Sequence, residues 1–136
     1  MLFRSGVARG GNGIPVSAFG SNNCALGAAQ SFLCNLHGVW DETLIAHRQL
    51  RDQALVSAVR SAPGTLRLDQ GRPGRPEEWA LESFTLARPA MLPAQGVVDD
   101  AYERAQHGVV DQQLARAGVR LAGILNAALA SAPPQR

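Results

Sequence analysis

Asn35-Leu36-His37-Gly38-Val39-Trp40-Asp41 is the stretch that decides how this chain folds. Asn35 is a favoured N-cap residue, so a helix is expected to begin there. Residues four apart lie on the same face of a helix, which brings the side chains of His37 and Asp41 together. Imidazole nitrogens and carboxylate oxygens are both zinc donors. The stretch therefore predicts a metal site, although the same spacing also suits a hydrogen bond or a surface charge pair.

Three helices are predicted from apolar residues that recur at helical spacing. The first covers residues 35–62 and ends before Pro63-Gly64, and the second covers 77–88 after Pro76. The third covers 97–129, and its apolar face comprises Val110, Leu114, Ala117, Leu121, Ile124, Leu125 and Ala128. We find no β-alternation of consequence, so the sequence predicts a mainly α fold.

Other side chains on these helices are given structural roles. Arg48 follows Asp41 on the same stripe of the first helix, where a surface pair with Asp52 is preferred over contact with a phosphate. His47 faces elsewhere and is interpreted as a packing or solvent-exposed histidine. The apolar residues of the second helix are expected in the core rather than in a base-stacking platform; they are Trp79, Leu81, Phe84 and Leu86.

Residues 9–34, upstream of the site stretch, are predicted to be a turn, a short extended piece at 14–20 that Pro15 confines to a sheet edge or to no sheet, and a loop over 21–34. The turn is Arg9-Gly10-Gly11-Asn12-Gly13, because glycine and asparagine tolerate the left-handed region. The two cysteines, Cys24 and Cys34, flank a stretch of small residues. They could form a disulfide, which would indicate an oxidising compartment, or stay as two buried thiols. Zinc ligation by both is disfavoured because CxxC-type spacing is absent.

Composition limits the possible functions. A chain of 136 residues with 46% apolar residues is sufficient for one domain with one core. The formal net charge is only +2, and acidic residues dilute the arginines of the loop at 63–76, so no polyanion-binding surface is predicted. No apolar run has the length of a membrane span, and residues 1–8 are too short and broken for a signal peptide.

Four segments, in this order, resemble the zinc-dependent, single-strand-specific nuclease family of the S1/P1 type. They are Arg9-Gly10-Gly11-Asn12 with Ile14 and Val16, then 35–45, Trp79-Ala80-Leu81-Glu82-Ser83, and 113–126. The likeness extends from residue 9 to about residue 129. It implies the helical array that this family shares with zinc phospholipase C.

The resemblance also implies a site and an activity. The family carries three zinc ions in a cleft between helices, and His37 and Asp41 match ligands of one of them. The implied reactions are cleavage of phosphodiester bonds in single-stranded DNA and RNA and removal of 3′-phosphates from nucleotides, in a secreted or periplasmic protein. Zinc lowers the pKa of bound water toward about 7, which supplies a hydroxide nucleophile, and it neutralises phosphoryl charge.

The chain departs from the family pattern upstream of the Gly-Gly-Asn turn. Family members carry an N-terminal Trp and several His and Asp ligands there, whereas residues 1–8 contain neither His nor Asp. We therefore expect a single partial domain, with an unrelated or mis-read start and the N-terminal half missing. Because a zinc site needs at least three protein donors, the chain alone is expected to be inactive. The alternatives are a catalytically empty helical remnant and a phospholipase C-like phosphodiesterase.

Overall fold

The computed structural model describes residues 9–26, 30–62, 74–87 and 92–130. Within these ranges the chain is mainly helical, as predicted. Helix α1 spans 36–47 and comprises an α-helical turn Leu36–Gly38, a π-helical segment Val39–Thr43 and an α-helical end Leu44–His47. The other helices are α2 (Asp52–Ser61), α3 (Pro76–Leu86) and α4 (Asp100–Ala130), and short 3-10 turns lie at Arg9–Gly11 and Ala94–Gly96. The start at 1–8 and the loop residues 63–73 lie outside the described residues.

Four short strands form two small sheets within the described part of the chain. β1 (Ser17–Ala18) pairs in parallel with β4 (Val97–Val98). β2 (Asn23–Leu26) and β3 (Gln30–Leu33) form an antiparallel hairpin in the region predicted to be a loop. A disulfide joins Cys24 of β2 to Cys34, the residue that follows β3. The pairing confirms one of the three alternatives left open for the cysteines.

The helix predicted over 35–62 is interrupted between α1 and α2. Gln49 and Asp52 have positive φ angles of 54° and 48°, and Arg51 is extended. A left-handed residue just after a helix end is a common form of termination. The prediction of one continuous helix was wrong because neither Pro nor Gly marks this break. The break turns α2 so that it packs against α4, a tertiary contact that overrides helix propensity.

Capping hydrogen bonds fix the residues at which α3 and α4 begin. The backbone N–H of Arg75 donates to Glu78 Oε2 at 2.9 Å, immediately before α3. The Asp99 carboxylate accepts from the backbone N–H of Tyr102 at 2.8 Å and so caps α4. Because α4 begins at Asp100, residues 97 and 98, which were predicted as helical, lie before it and form β4.

The core lies where α1, β1, β4 and the middle of α4 meet. Val39 and Val98 are completely buried there. The other buried residues of the core are Val16, Ala18, Cys24, Cys34, Leu44 and Val110.

Several apolar residues of the later helices lie outside this core. Leu81 and Phe84 of α3 are 65% and 75% exposed, so their predicted core positions were wrong. Among the residues that the structure describes, Leu121, Ile124, Leu125 and Leu129 in the C-terminal half of α4 are exposed, whereas Val110 in its N-terminal half is buried. No described helix, the 31-residue α4 included, is long and apolar enough to cross a membrane.

Polar contacts attach α1 and α3 to α4. Trp40 Nε1 on α1 donates to the Tyr102 hydroxyl at 2.9 Å. Burial raises the pKa of Tyr102, and this hydrogen bond opposes the shift without cancelling it. On α3, the Glu82 carboxylate lies 3.1 Å from Arg116 and 2.8 Å from Arg120. The Arg120 guanidinium also lies 5.4 Å from the centre of the Trp79 ring, a cation–π contact that supports the same junction.

Candidate metal centre

His37 stands in the first turn of α1, and its position is set by the start of that helix. The Asn35 side chain accepts a hydrogen bond from the Gly38 backbone N–H at 2.9 Å, as expected of an N-cap residue. The side chains of His37 and Asp41 are 46% and 63% exposed. Both groups therefore face solvent from the N-terminal part of α1.

The two side chains of this pair point at each other. His37 Nε2 lies 3.0 Å from Asp41 Oδ2, and His37 Nδ1 lies 3.0 Å from the Gly10 carbonyl oxygen. A carbonyl and an ionised carboxylate only accept hydrogen bonds, whereas a neutral imidazole has one N–H to donate. The arrangement is therefore fully satisfied only when a proton or another cation lies between Nε2 and the carboxylate.

This geometry fits a zinc ion on the Nε2 side of His37. Zinc binds imidazole nitrogen and carboxylate oxygen at about 2.0 to 2.2 Å, so donor atoms 3.0 Å apart can share one ion. Histidines that bind metals usually donate the other ring N–H to a carbonyl or carboxylate. The Gly10 carbonyl is placed to receive that N–H.

The backbone between the two side chains has two features that the sequence analysis did not anticipate. A Cβ on Gly38 would lie 2.4 Å from the Phe32 ring, so this side of α1 packs directly against β3. Immediately after Gly38 the helix widens into its π-helical segment, where the Leu44 N–H bonds to the Val39 carbonyl. Short π-helical segments inside helices are frequent at functional sites.

A second histidine–aspartate pair has the same spacing but a different environment. His107 Nε2 lies 3.6 Å from Asp111 Oδ2, and Arg48 pairs with the other carboxylate oxygen. Asp111 is buried and already neutralised by a guanidinium, so this pair is not open to a cation as the first pair is. The predicted surface pair between Arg48 and Asp52 was therefore wrong. The sequence signal that could have indicated the burial of Asp111 is its position directly after Val110 and about one turn before Leu114, on the apolar stretch of α4.

The remaining predicted side chains lie away from the His37–Asp41 pair. His47 stacks on Phe19, with ring centroids 3.5 Å apart and an interplanar angle of 2°, which confirms its packing role. Arg75 pairs with Glu78, whereas the other loop arginines lie outside the described residues. No group of three or more His, Cys, Asp or Glu side chains that could hold a metal occurs within residues 9–26, 30–62, 74–87 and 92–130.

The fold and this pair define a mainly helical protein with two adjacent metal-donor side chains exposed at the start of its first described helix. The family model described as S1/P1 Nuclease matches residues 3–130. The chain therefore belongs to the S1/P1 nuclease family, as its resemblance predicted. Membership supports nuclease or phosphodiesterase function and a nucleic acid substrate in general terms, and the family is generally zinc-dependent. Comparison with curated proteins and with solved structures found no match.

Proposed function

We propose that this chain supplies two zinc ligands, His37 and Asp41, to a nuclease that hydrolyses single-stranded DNA and RNA and removes 3′-phosphates from nucleotides. The observation that carries the proposal is the 3.0 Å approach of His37 Nε2 to Asp41 Oδ2, with Nδ1 facing a backbone carbonyl. Membership of the S1/P1 nuclease family supports the class of reaction.

Zinc supplies a hydroxide nucleophile near neutral pH and neutralises phosphoryl charge when it is bound. The residues of this chain hold the ion and orient its ligands. The Gly10 carbonyl fixes the His37 ring, and the exposure of Asp41 leaves its carboxylate accessible to the ion. Arg48 makes no contribution to phosphate binding in this proposal, because its guanidinium is buried against Asp111.

Two donors do not complete a zinc site, which needs at least three from protein. The stretches that lie outside the described residues contain no His or Cys and one carboxylate, that of Asp69. We therefore propose that the other donors come from a polypeptide segment not included in this sequence. The chain alone is then inactive, and the same shortage of donors supports the alternative of a catalytically empty helical piece.

The proposed setting is secreted or periplasmic. Members of the S1/P1 family are typically secreted. The disulfide between Cys24 and Cys34 is in keeping with that setting, since disulfides persist mainly in oxidising compartments.

A zinc titration tests the ligand assignment. Competition with a chromophoric chelator is expected to give a dissociation constant weaker than micromolar for the wild-type chain. Binding should be lost in His37→Ala and in Asp41→Asn. It should be unchanged in His47→Ala, the matched control, since His47 stacks on Phe19. Equal affinity in all four proteins would contradict the assignment of His37 and Asp41.

A nuclease assay tests the shortage of donors. Incubation of the chain with zinc and a labelled single-stranded oligonucleotide is expected to give no cleavage above the buffer control. Cleavage that disappears in His37→Ala, or micromolar zinc affinity that disappears in the same variant, would show that this chain holds a complete centre. Either result would overturn both the proposal of missing donors and the structural alternative.

A further inference from the structure

The turn that receives the His37 ring is 27 residues away in sequence and approaches α1 very closely. Gly11 has a φ of +99°, and a Cβ placed on it would lie 3.0 Å from the backbone nitrogen of His37 and 3.3 Å from its Cα and Cβ. Few real Cβ atoms have contacts this short. The absence of a side chain at Gly11 therefore allows the turn to reach the histidine.

The turn is also held in an unusual conformation by its own hydrogen bonds. Arg9 and Gly10 have φ angles of 46° and 64°, and both therefore adopt the left-handed conformation, which is rare for arginine. The Arg9 carbonyl accepts from both the backbone N–H and the side-chain amide of Asn12, at 3.3 and 3.2 Å. The Ile14 N–H donates to the Gly11 carbonyl at 3.1 Å. These bonds fix the direction of the Gly10 carbonyl.

The segment after the turn is fastened to the segment before His37. The Leu36 N–H donates to the Ile14 carbonyl at 2.9 Å, and the Val16 N–H donates to the Cys34 carbonyl at 3.2 Å. Cys34 is itself joined to Cys24 by the disulfide. The turn and the histidine therefore belong to one rigid frame, in which the Gly10 carbonyl and the imidazole have a fixed relation.

We propose that the turn at residues 9–13 is a positioning element for His37. The Gly10 carbonyl takes the Nδ1–H and thereby leaves Nε2 as the ring atom that shares a cation with Asp41. Gly11 and Asn12 act through this contact and are positioning residues. The link to zinc rests on the proposed function, whereas the contact between Nδ1–H and the carbonyl can be measured without any metal.

The test compares Gly11→Ala with Gly20→Ala in 15N-labelled, metal-free protein, in a buffer acidic enough for an imidazole to carry a proton on both ring nitrogens. Gly20 also has a positive φ, +79°, but a Cβ there would meet no atom within 4 Å, so this control imposes backbone strain away from the histidine. The His37 Nδ1–H proton is expected to be protected from solvent exchange in the wild type and in Gly20→Ala. Its signal should be lost in Gly11→Ala. The rings of His47 and His107 serve as internal references.

A milder variant covers the case in which Gly11→Ala does not fold. Asn12→Ala removes the exposed amide that closes the turn and should increase the exchange rate of the same proton. Unchanged protection in Asn12→Ala and in any folded Gly11→Ala would overturn the proposal. In a zinc titration, Gly11→Ala should bind about tenfold more weakly than Gly20→Ala. If Gly11→Ala loses the proton protection but the wild type binds no zinc, the positioning role stands and the proposed zinc site is refuted.

Discussion

Arg48 at the end of α1 and Asp111 in the middle of α4 form an ion pair in which the side chains are only 7% and 10% exposed. Asp111→Ala is expected to lower the free energy of unfolding by about 3–5 kcal/mol, because it leaves a guanidinium buried without its carboxylate. Urea denaturation followed by circular dichroism measures the change.

The control for this prediction removes both charges at once. Arg48→Met combined with Asp111→Leu should be much less destabilising than Asp111→Ala alone, since hydrophobic replacement of a buried pair is often tolerated. A double variant at least as unstable as the single one would show that the pair stabilises the fold by its own attraction.

Removal of the disulfide is expected to weaken the frame around His37. Cys24→Ser combined with Cys34→Ser should lower the free energy of unfolding by about 2–3 kcal/mol, because the unfolded chain gains freedom over the closed loop. Thermal melts with and without a reducing agent measure the effect. The reducing agent should lower the melting temperature of the wild type and leave that of the double variant unchanged. A wild type insensitive to complete reduction would contradict the prediction.

Glu82 makes the attachment of α3 sensitive to pH. Partial burial by itself raises the pKa of Glu82, but hydrogen bonds from Arg120 and Gln113, with the charges of Arg116 and Arg120, outweigh it and hold the pKa below its usual value. Because the pKa is lower in the folded state, this stabilisation is present above the unfolded-state pKa and is lost as the pH falls through the folded-state value.

Glu82→Gln should therefore lower the free energy of unfolding by about 1 kcal/mol at neutral pH. The difference from the wild type should shrink as the pH falls below the usual glutamate pKa of about 4.3. Urea denaturation at a series of pH values provides the measurement, with Glu77→Gln, an exposed position on the same helix, as the control. A difference that stays constant into acid would contradict the sign of the shift.

The C-terminal half of α4 is expected to promote self-association. Leu121, Leu125 and Leu129 are 58%, 51% and 72% exposed, and contiguous apolar surface of this kind favours association. Replacement of all three by Gln should reduce the sedimentation coefficient at high concentration without lowering the melting temperature. Leu114→Gln is the contrasting variant, because Leu114 packs against the core and its replacement should destabilise the fold. A wild type that stays monomeric at every concentration would refute the prediction.

The His37–Asp41 pair could be predicted from sequence because its geometry is local to one helix. The N-cap at Asn35 and the spacing of four residues are sufficient to bring the two groups together. The same rule cannot separate this pair from His107 and Asp111. What distinguishes them is Arg48, which reaches Asp111 from another helix, and such a contact leaves no mark in the spacing.

β4 and the break after α1, which sequence analysis missed, depend on contacts between distant segments, whereas the missed β2–β3 hairpin is local to residues 23–33. β4 is only two residues long, too short for any alternation to be recognised, and it pairs with β1, which lies inside the extended piece predicted at 14–20. The break after α1 has the same origin, since Gln49 is an ordinary helix-forming residue. The exposure of Phe84 was also unpredictable, because periodicity identifies an apolar face and does not identify what covers it.

The disulfide-bonded frame has a consequence for the order in which the chain acquires its structure. Contacts around His37 lie within residues 9–47, whereas the parallel strand pair and the Arg48–Asp111 pair join remote parts of the chain. Closing short loops costs less entropy than closing long ones, so local contacts form sooner. The N-terminal part therefore organises first, and docking of α4 completes the fold.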